Sequence, residues 1–412
     1  MSQEHTSAET LQTALYQALD RVNARQVKEF AVPPVTLMGA GAVARSGAAL
    51  ADRGIEQVFM MVDAHLHLAG VTQGILRSLQ QAGVTYDVWS CPAGEPVERD
   101  VLAAVQQLRQ SNSDSILAFG GGSVLDAAKA VAVLAANPAL KLSALGPESR
   151  IAPRLPLIAI PTTAGTGSEA TNIAVIISDT AHHKQVLLHS ALLPDLAIID
   201  ANLTVGVPAQ ITAATGIDAL THAIEAYVAC NATPLTRSLA YQAIHLIGEA
   251  LPLAVGQGGN ITAREAMMQA SYMAGMAFSN AGLGVCHACA HQIGAAYGIA
   301  HGLANAIMLP AVMKFNRLVC KQTYAEIGYA LTGRQGSDVD AIDAVEQLID
   351  SVDLNVDLAA LGGKALDFAG FAKAAMQDAC IRTNPRTLTE QQIVTLYQNS
   401  LANPRQAAGS RG

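Results

Sequence analysis

Two short segments in the second half of the chain combine aspartate and histidine at the spacing of one helical turn. Asp218 and His222 are four residues apart, His287 and His291 have the same spacing, and His301 follows. Residues four apart lie on one face of a helix. Their neighbours are mostly apolar, and polar groups inside an apolar helix are costly to bury unless a partner satisfies several of them at once. The pattern therefore predicts a divalent metal site.

The predicted donors are three imidazoles and one carboxylate, without a thiolate. This set favours Fe(II) or Zn(II) over Ca(II) or Mg(II). The spacing alone leaves open whether His291 or His301 is the third imidazole. For a single histidine, the alternative is an ordinary hydrogen-bonded residue of the core or the surface, and we interpret the other histidines of the chain in this way.

Cys286 and Cys289 form a C-x-x-C pair between these histidines. The pair supplies at most two metal ligands, and no second pair lies nearby to complete a zinc knuckle. It lies inside an Ala-rich helical pattern, whereas a thioredoxin-like redox motif follows a strand. We therefore interpret both residues as buried packing cysteines.

Two glycine-rich loops in the first half of the chain each follow a short apolar run. Gly120-Gly121-Gly122-Ser123 precedes a helical pattern, and residues 161–169 read PTTAGTGSE. Backbone N–H groups in such turns can approach a phosphate without a Cβ in the way. The first loop alone is a weak signal, because Leu125 replaces the third glycine of G-x-G-x-x-G. Two loops at the carboxyl ends of parallel strands lie side by side, where α/β sheets bind dinucleotides.

Asp63 ends the apolar run of residues 58–62. A carboxylate at this position can accept hydrogen bonds from ribose hydroxyls and repel a 2′-phosphate, which favours NAD over NADP. The alternative is an ordinary aspartate at a strand end or a helix N-cap.

The two groups of residues lie in halves with different hydrophobic patterns. Strands are predicted at 57–63, 85–90, 115–119, 157–160, 173–178, 186–189 and 196–200. Several of these runs are apolar on both faces, as in a parallel sheet covered by helices on both sides. Helices are predicted at 216–230, 236–251, 263–281, 287–297, 305–315 and 339–352.

We therefore predict a doubly wound, Rossmann-like α/β domain at 26–204, followed by an all-α helical, metal-binding domain at 205–412. Because no linker separates them, we expect the two to pack directly and to leave a cleft between them.

Residues 1–25 are predicted to form a short amphipathic helix that belongs to neither domain. One stripe of that helix carries Leu11, Leu15, Ala18, Leu19 and Val22. Two interpretations stay open: the helix packs on its own domain or at a subunit contact, or it is a detachable address peptide that docks on a partner.

Composition limits the classes of function. The chain has 412 residues, 51% hydrophobic and 14% charged, with a formal net charge of −8. This excludes a disordered chain and a small disulfide-stapled domain. The acidic balance without a basic run argues against nucleic acid or an anionic membrane as a partner, and favours small molecules. Six scattered cysteines and the lack of a secretory signal pattern predict a reducing cytoplasm.

Taken together, these segments resemble the iron-containing, or group III, alcohol dehydrogenases. The resemblance rests on residues 119–129, 161–169, 216–225 and 275–302, and it extends over about 33–403. It implies that Asp218, His222, His287 and His301 are the metal ligands. His291 is then a nearby histidine that relays a proton to solvent.

The same resemblance implies roles for the remaining candidates. The diphosphate is expected on Gly121, Gly122 and Ser123, with further cofactor contacts from Thr162, Thr163 and Lys184, the adenosine ribose on Asp63, and a substrate pocket lined by Phe278 and Leu283.

The implied reaction is NAD-dependent hydride transfer between a small primary alcohol and its aldehyde. Within the family, the chain most resembles the ethanolamine-utilisation branch. This implies acetaldehyde and ethanol as substrates, a bacterial microcompartment as the location, and an encapsulation peptide at 1–25 that contacts the shell or cargo. We also expect a homodimer or a larger assembly.

Three other functions are considered. One is a zinc-dependent glycerol or polyol dehydrogenase of the same superfamily. A second is a metal-dependent hydrolase or lyase, which leaves both glycine loops unexplained. A third is a catalytically idle scaffold protein, which leaves the intact set of ligand positions unexplained.

Overall fold

The computed structural model describes residues 27–179, 184–356, 358 and 367–401. The helix predicted within residues 1–25 lies outside the described residues. Contacts divide the chain into two units, residues 1–31 and 32–412. Of the first unit, residues 27–31 are described and carry no regular secondary structure. All elements below belong to the second unit.

The first half of this unit is built on a six-stranded parallel sheet with the order β1-β8-β5-β4-β2-β3. Its strands are β1 (Val35–Met38), β2 (Gln57–Asp63), β3 (Thr85–Cys91), β4 (Ser115–Gly120), β5 (Leu157–Pro161) and β8 (Leu196–Ile199). Every residue of β4 and β5 is buried. Strands apolar on both faces are typical of a sheet covered on both sides, and this explains why these two occupy its centre.

Alternate residues of each strand enter two different cores. Phe59 and Met61 pack in one core, whereas Val58 and Met60 pack in the other. The first core includes residues of α4 (Glu98–Gln110) and α5 (Gly122–Ala136); the second includes residues of α1 (Ser46–Ala51) and α3 (Gln73–Gln81), and the short α2 (Ala64–Leu68) follows β2. Helices therefore cover both faces, and the predicted doubly wound α/β fold is confirmed.

The sequence prediction differs from the structure in two places in this half. β1 was not predicted, because it is a four-residue strand at the sheet edge with Val35 and Met38 exposed. The runs at 173–178 and 186–189 do form strands, β6 (Ile173–Ile177) and β7 (Lys184–Leu188), but these pair antiparallel as a separate two-stranded sheet. Buried and partly exposed residues alternate along β6, as expected for a strand with one covered face.

The second half is helical, as predicted. Its helices are α6 (Ala209–Val228), α7 (Pro234–Gly256), α8 (Ile261–Ala281), α9 (Val285–Tyr297), α10 (His301–Thr332), α11 (Asp338–Ser351), α12 (Phe368–Ala375) and α13 (Glu390–Asn399). The central α6 is buried on nearly all sides and packs against α7, α8 and α10. A helix that is hydrophobic all round belongs in a core.

Two of these helices differ from the usual surface helix. α10 is much longer than the predicted 305–315, because it continues past Pro310 and through a kink at Cys320. α7 and α10 are also long and apolar enough to cross a membrane by length and composition alone. Both pack against other helices of this half, and buried core helices pass the same test.

Candidate active site

Three helices bring the four predicted metal ligands to one place. α6 contributes Asp218 and His222, α9 contributes His287, and α10 begins at His301. One ligand atom from each residue can be chosen so that all four lie within 4.8 Å of one another. Three of the residues are buried and His301 is partly buried. The structure thus gathers the four side chains around one point, and their role as ligands stays a prediction.

The distances and charges of this cluster fit a cation. Asp218 Oδ1 lies 3.4 Å from His301 Nε2 and 3.8 Å from His287 Nε2. Burial by itself raises the pKa of Asp218, but the facing imidazoles of His222 and His301 outweigh it and hold the pKa well below its usual range. The carboxylate is therefore ionised, as a metal ligand must be.

The imidazoles differ in protonation. Burial lowers the pKa of His222 to about 4 and lowers that of His301 well below its usual value, so both rings are neutral at pH 7 with a lone pair free for a metal. Burial also acts to lower the pKa of His287, but the nearby carboxylates of Asp218 and Glu225 raise it to about 9. A cation held by the cluster would therefore have to replace a proton on His287.

Two of the imidazoles, those of His222 and His287, are each oriented by a contact at Nδ1. His222 Nδ1 lies 3.3 Å from the carbonyl oxygen of Gly165, and His287 Nδ1 lies 2.6 Å from Glu225 Oε2. When Nδ1 donates to such a partner, Nε2 is left free for a metal. Glu225 was not singled out from the sequence, although it follows Asp218 by seven residues and so falls on the same face of α6.

Asn305 is a second residue that the sequence did not indicate. Its side chain is fully buried, and its Nδ2 lies 2.7 Å from Asp218 Oδ1. The same atom lies 3.2 Å from His287 Nε2 and 3.3 Å from His301 Nε2. Asn305 therefore contacts three of the four cluster residues and limits the directions in which they can turn.

His291 lies beside the cluster. Its ring stacks on His301 with centroids 5.2 Å apart, and its Nδ1 lies 2.7 Å from Asp378 Oδ2. His291, His301 and Asp378 all line a cavity of 1020 Å³. Asp378, which no periodic pattern marks, thus fixes the orientation of a histidine that faces open space next to the cluster.

The two glycine loops lie against each other in the α/β half, as predicted. Gly121 is the N-cap of α5, which begins at Gly122. A Cβ on Gly122 would lie 2.6 Å from Thr166 Cγ2 of the second loop, so this approach requires glycine. Thr163 lies beside Gly121, and the Thr162 N–H donates to the Gly120 carbonyl over 3.0 Å. This helix N-terminus presents backbone N–H groups and fits a diphosphate.

Asp63, at the end of β2, caps a helix and lines a cavity. Its Oδ1 caps α2 by accepting from the N–H groups of His65 and Leu66, at 2.9 and 3.0 Å. It also lines a second cavity, of 340 Å³, together with Gly121 and Ser123. The cap therefore holds the carboxylate beside the glycine turn.

Lys184 forms an ion pair with Glu95. Glu95 lines both cavities, and Lys184 lines the larger one. The pair thus lies where the cavity beside the glycine turn and the cavity beside the histidine cluster approach each other.

The two predicted pocket residues lie in different surroundings. Phe278 stacks on His222 with ring centroids 4.4 Å apart, so it shields one side of the cluster. Leu283 is buried in the core of the helical half, and its carbonyl accepts a hydrogen bond from the Thr383 hydroxyl over 2.6 Å. Cys286 and Cys289 are buried free thiols, as predicted.

Two family models cover nearly the whole of the described chain. Residues 33–201 match "Iron-containing alcohol dehydrogenase", and residues 212–401 match "Fe-containing alcohol dehydrogenase family, C-terminal". The chain belongs to the iron-containing alcohol dehydrogenase family. The resemblance read from the sequence is confirmed, and the protein is an alcohol dehydrogenase of the iron type. The hydrolase, lyase and scaffold alternatives are thereby excluded.

Curated relatives of this dehydrogenase match along almost their whole length. It is 56% identical over 387 residues to "Probable alcohol dehydrogenase EutG" of Escherichia coli K12, covering 94% of this chain and 98% of that protein. It is 38% identical to "NAD-dependent methanol dehydrogenase" of Bacillus methanolicus, covering 90% of this chain and 99% of that protein.

Solved structures share the fold. A 1,3-propanediol oxidoreductase superposes with a TM-score of 0.88 at 34% identity, covering 91% of this chain and all of that chain. A sulfoacetaldehyde reductase from Bifidobacterium kashiwanohense in complex with NAD+ gives 0.84 at 26% identity, covering 92% and 100%. Both comparisons agree with a dehydrogenase that interconverts alcohols and aldehydes.

Proposed function

We propose that this dehydrogenase interconverts a small primary alcohol and its aldehyde with NAD, using Fe(II) or Zn(II) held by Asp218, His222, His287 and His301. The observation that carries the proposal is the convergence of a buried four-donor cluster with two facing glycine loops. A dinucleotide seated on the loops and a substrate oxygen at the cluster are both needed for hydride transfer.

When bound, the metal ion stabilises negative charge on the substrate oxygen and the nicotinamide carries the hydride. The residues of the chain orient the metal-binding imidazoles and exclude water from the cluster. Gly165 and Glu225 hold the Nδ1 atoms of His222 and His287, and the Nε2 atom of His287 faces Asp218. Phe278 covers the ring of His222 and keeps water from that side of the cluster.

His291 is proposed as the group that moves the hydroxyl proton. Its Nδ1 is held by Asp378 while its ring lines the large cavity, so the proton has a route to solvent. In alcohol oxidation His291 carries the proton outward, and in aldehyde reduction it returns one.

On the cofactor side, Gly121, Gly122 and Ser123 are proposed to hold the diphosphate, with Thr162, Thr163 and Lys184 as further contacts. NAD is preferred over NADP, because Asp63 and Asp100 line the cavity beside the glycine turn. These carboxylates repel a 2′-phosphate. Two similar proteins support this choice, the NAD-dependent methanol dehydrogenase and the sulfoacetaldehyde reductase in complex with NAD+.

The similarity to EutG proteins supports a role in ethanolamine catabolism, in which acetaldehyde reduction to ethanol regenerates NAD. We place the enzyme in the cytoplasm, inside a bacterial microcompartment, recruited through residues 1–25 by contact with shell or cargo. We further propose that it acts as a homodimer or a larger assembly.

NADH oxidation tests the substrate and metal together. Enzyme reconstituted with Fe(II) or Zn(II) is assayed with a series of aldehydes, with glycerol and NAD as the polyol control, and with NADPH in parallel. We expect turnover of acetaldehyde with NADH. Turnover restricted to glycerol, and to the zinc form, would instead identify the polyol dehydrogenase.

Asp63→Asn tests whether Asp63 sets the preference for NADH over NADPH. The amide oxygen can still cap α2, but the negative charge is lost, so we expect the preference for NADH over NADPH to fall with little change in stability. An unchanged preference would remove Asp63 from the cofactor site.

A further inference from the structure

A second group of donor atoms lies beside the four-residue cluster. One ligand atom each from His291, Asp378 and Cys380 lie within 4.8 Å of one another. We propose that this trio is a separate, inhibitory site for a borderline-soft divalent cation such as Zn(II). No ligand of the proposed catalytic cluster belongs to it.

The backbone prearranges the trio. Asp378 is the N-cap of the short helical turn Ala379–Thr383, and its Oδ1 accepts from the Cys380 N–H over 2.9 Å. Its other oxygen, Oδ2, lies 2.7 Å from His291 Nδ1. A ligating carboxylate that is itself hydrogen-bonded is typical of metal sites. The cap therefore fixes the carboxylate between the thiol-bearing residue and the imidazole.

The donor set selects the kind of cation. Nitrogen, oxygen and sulfur together suit Zn(II) or Co(II), whereas Ca(II) and Mg(II) take oxygen ligands. The proposed catalytic cluster has no thiolate, so the two sites differ in chemistry. His291 and Asp378 line the cavity of 1020 Å³, which leaves room for a water molecule as the fourth ligand. On binding, the cation takes the place of two protons: the thiol proton of Cys380 leaves to solvent, and the proton between His291 Nδ1 and Asp378 Oδ2 passes to His291 Nε2.

Occupation of this site affects the reaction through His291. The imidazole stacks on His301 with centroids 5.2 Å apart. A cation bound to His291 Nδ1 prevents the imidazole from exchanging protons through that atom. The cation also occupies the part of the cavity that lies beside the catalytic cluster. Inhibition thus rests on the role proposed above for His291, whereas the binding of a second cation does not. Burial and Asp378 raise the pKa of the Cys380 thiol, so we expect weaker binding here than at the catalytic cluster.

Cobalt provides a readout that needs no turnover. The full-length enzyme is first loaded with one equivalent of metal, and a second equivalent of Co(II) is then added under a non-thiol reductant. We expect two bound cations per chain and a near-ultraviolet thiolate-to-cobalt charge-transfer band. Cys380→Ser abolishes the band and the second equivalent. Cys230→Ser, which removes an exposed thiol, retains both.

Zinc inhibition is measured on the same proteins. We expect added Zn(II) to inhibit the loaded wild type, and Cys380→Ser to require at least about tenfold more, a loss typical of a weakened metal site. One cation per chain without a thiolate band would overturn the site. Equal inhibition of wild type and Cys380→Ser would show that zinc acts by replacing the catalytic metal. If the charge-transfer band forms but acetaldehyde is not turned over, the proposed substrate is wrong, whereas the proposal of a second cation site is still supported.

Discussion

His222 Nδ1 lies 3.3 Å from the carbonyl oxygen of Gly165, so a residue of the proposed metal cluster is hydrogen-bonded to the second glycine loop. The loop belongs to the α/β half and His222 to the helical half. A movement of the loop therefore alters the support of a proposed metal ligand. The proposed cofactor site and the proposed metal site are therefore linked through this hydrogen bond.

Gly165→Ala tests this link. An added Cβ would lie 2.6 Å from Thr215 Cβ and 2.9 Å from the Thr215 carbonyl oxygen, so the loop must move away from α6. We expect both the metal content and the affinity for NADH to fall, by about tenfold or more for the metal. Metal analysis and NADH fluorescence titration measure the two effects. Gly146→Ala is the control, because nothing lies within 4 Å of its Cβ position. Normal metal retention with weakened NADH binding would show that the two sites are independent.

His287→Ala and His301→Ala are expected to lose bound metal and activity together. Each removes one of four donors from a buried cluster, and the remaining three bind less tightly. Metal stoichiometry after gel filtration and NADH-dependent aldehyde reduction are measured side by side. His245→Ala, at a side chain 40% exposed, should retain both. A metal-free His287→Ala enzyme with normal kcat would refute the ligand assignment.

The elements of the fold that the sequence predicted well are those whose burial is continuous. β2 matches its prediction at both ends, and β4 and β5 match within a residue, because a fully buried strand is a continuous apolar run. β1 was missed because edge strands need little apolar surface. β6 and β7 pair with each other rather than with the six-stranded sheet. The hydrophobic pattern of each segment predicts a strand but does not indicate which strand it pairs with.

Helical spacing placed Asp218 and His222 on one face, and extending it by one turn would have found Glu225. Spacing could not choose between His291 and His301, because the choice depends on how α9 meets α10. Asp378 reaches His291 from a distant part of the chain, so no local periodicity marks it.

Removal of residues 1–25 separates the two interpretations of that segment. If it is an address peptide, the truncated enzyme keeps kcat and KM but no longer co-purifies with microcompartments. If it packs on the protein, the truncation loses stability or activity. Steady-state kinetics, thermal unfolding and fractionation of compartments are measured on the same pair of proteins.

Glu225→Gln tests the support of His287. The amide keeps the shape of the side chain but loses the charge that faces Nδ1 over 2.6 Å, so the imidazole becomes a poorer ligand. We expect metal affinity to fall by roughly 10- to 100-fold, as for other partners of metal-binding histidines. Competition with a chelator measures it. Glu249→Gln removes a carboxylate from an exposed His–Glu pair and serves as the control. Equal affinity in both variants would show that Glu225 has only a packing role.

Glu169 gives a prediction for stability. The residue is 2% exposed, and within the described part of the chain its Oε2 has no hydrogen-bond partner. Burial raises its pKa to about 7 despite the nearby ammonium of Lys129. The folded protein therefore keeps this proton up to about pH 7, whereas the unfolded chain releases it near 4.5. Since the folded state binds more protons between these values, the free energy of unfolding falls as the pH rises through this range.

Glu169→Gln removes this titration. The wild type should lose at most about 3 kcal/mol between pH 4.5 and pH 7 through this group, and the variant should lack that part of the slope. Urea unfolding at a series of pH values measures it, with Glu148→Gln, at an exposed position, as the control. Parallel pH dependences in the wild type and Glu169→Gln would mean that Glu169 is ionised in the folded protein, with Lys129 compensating its charge.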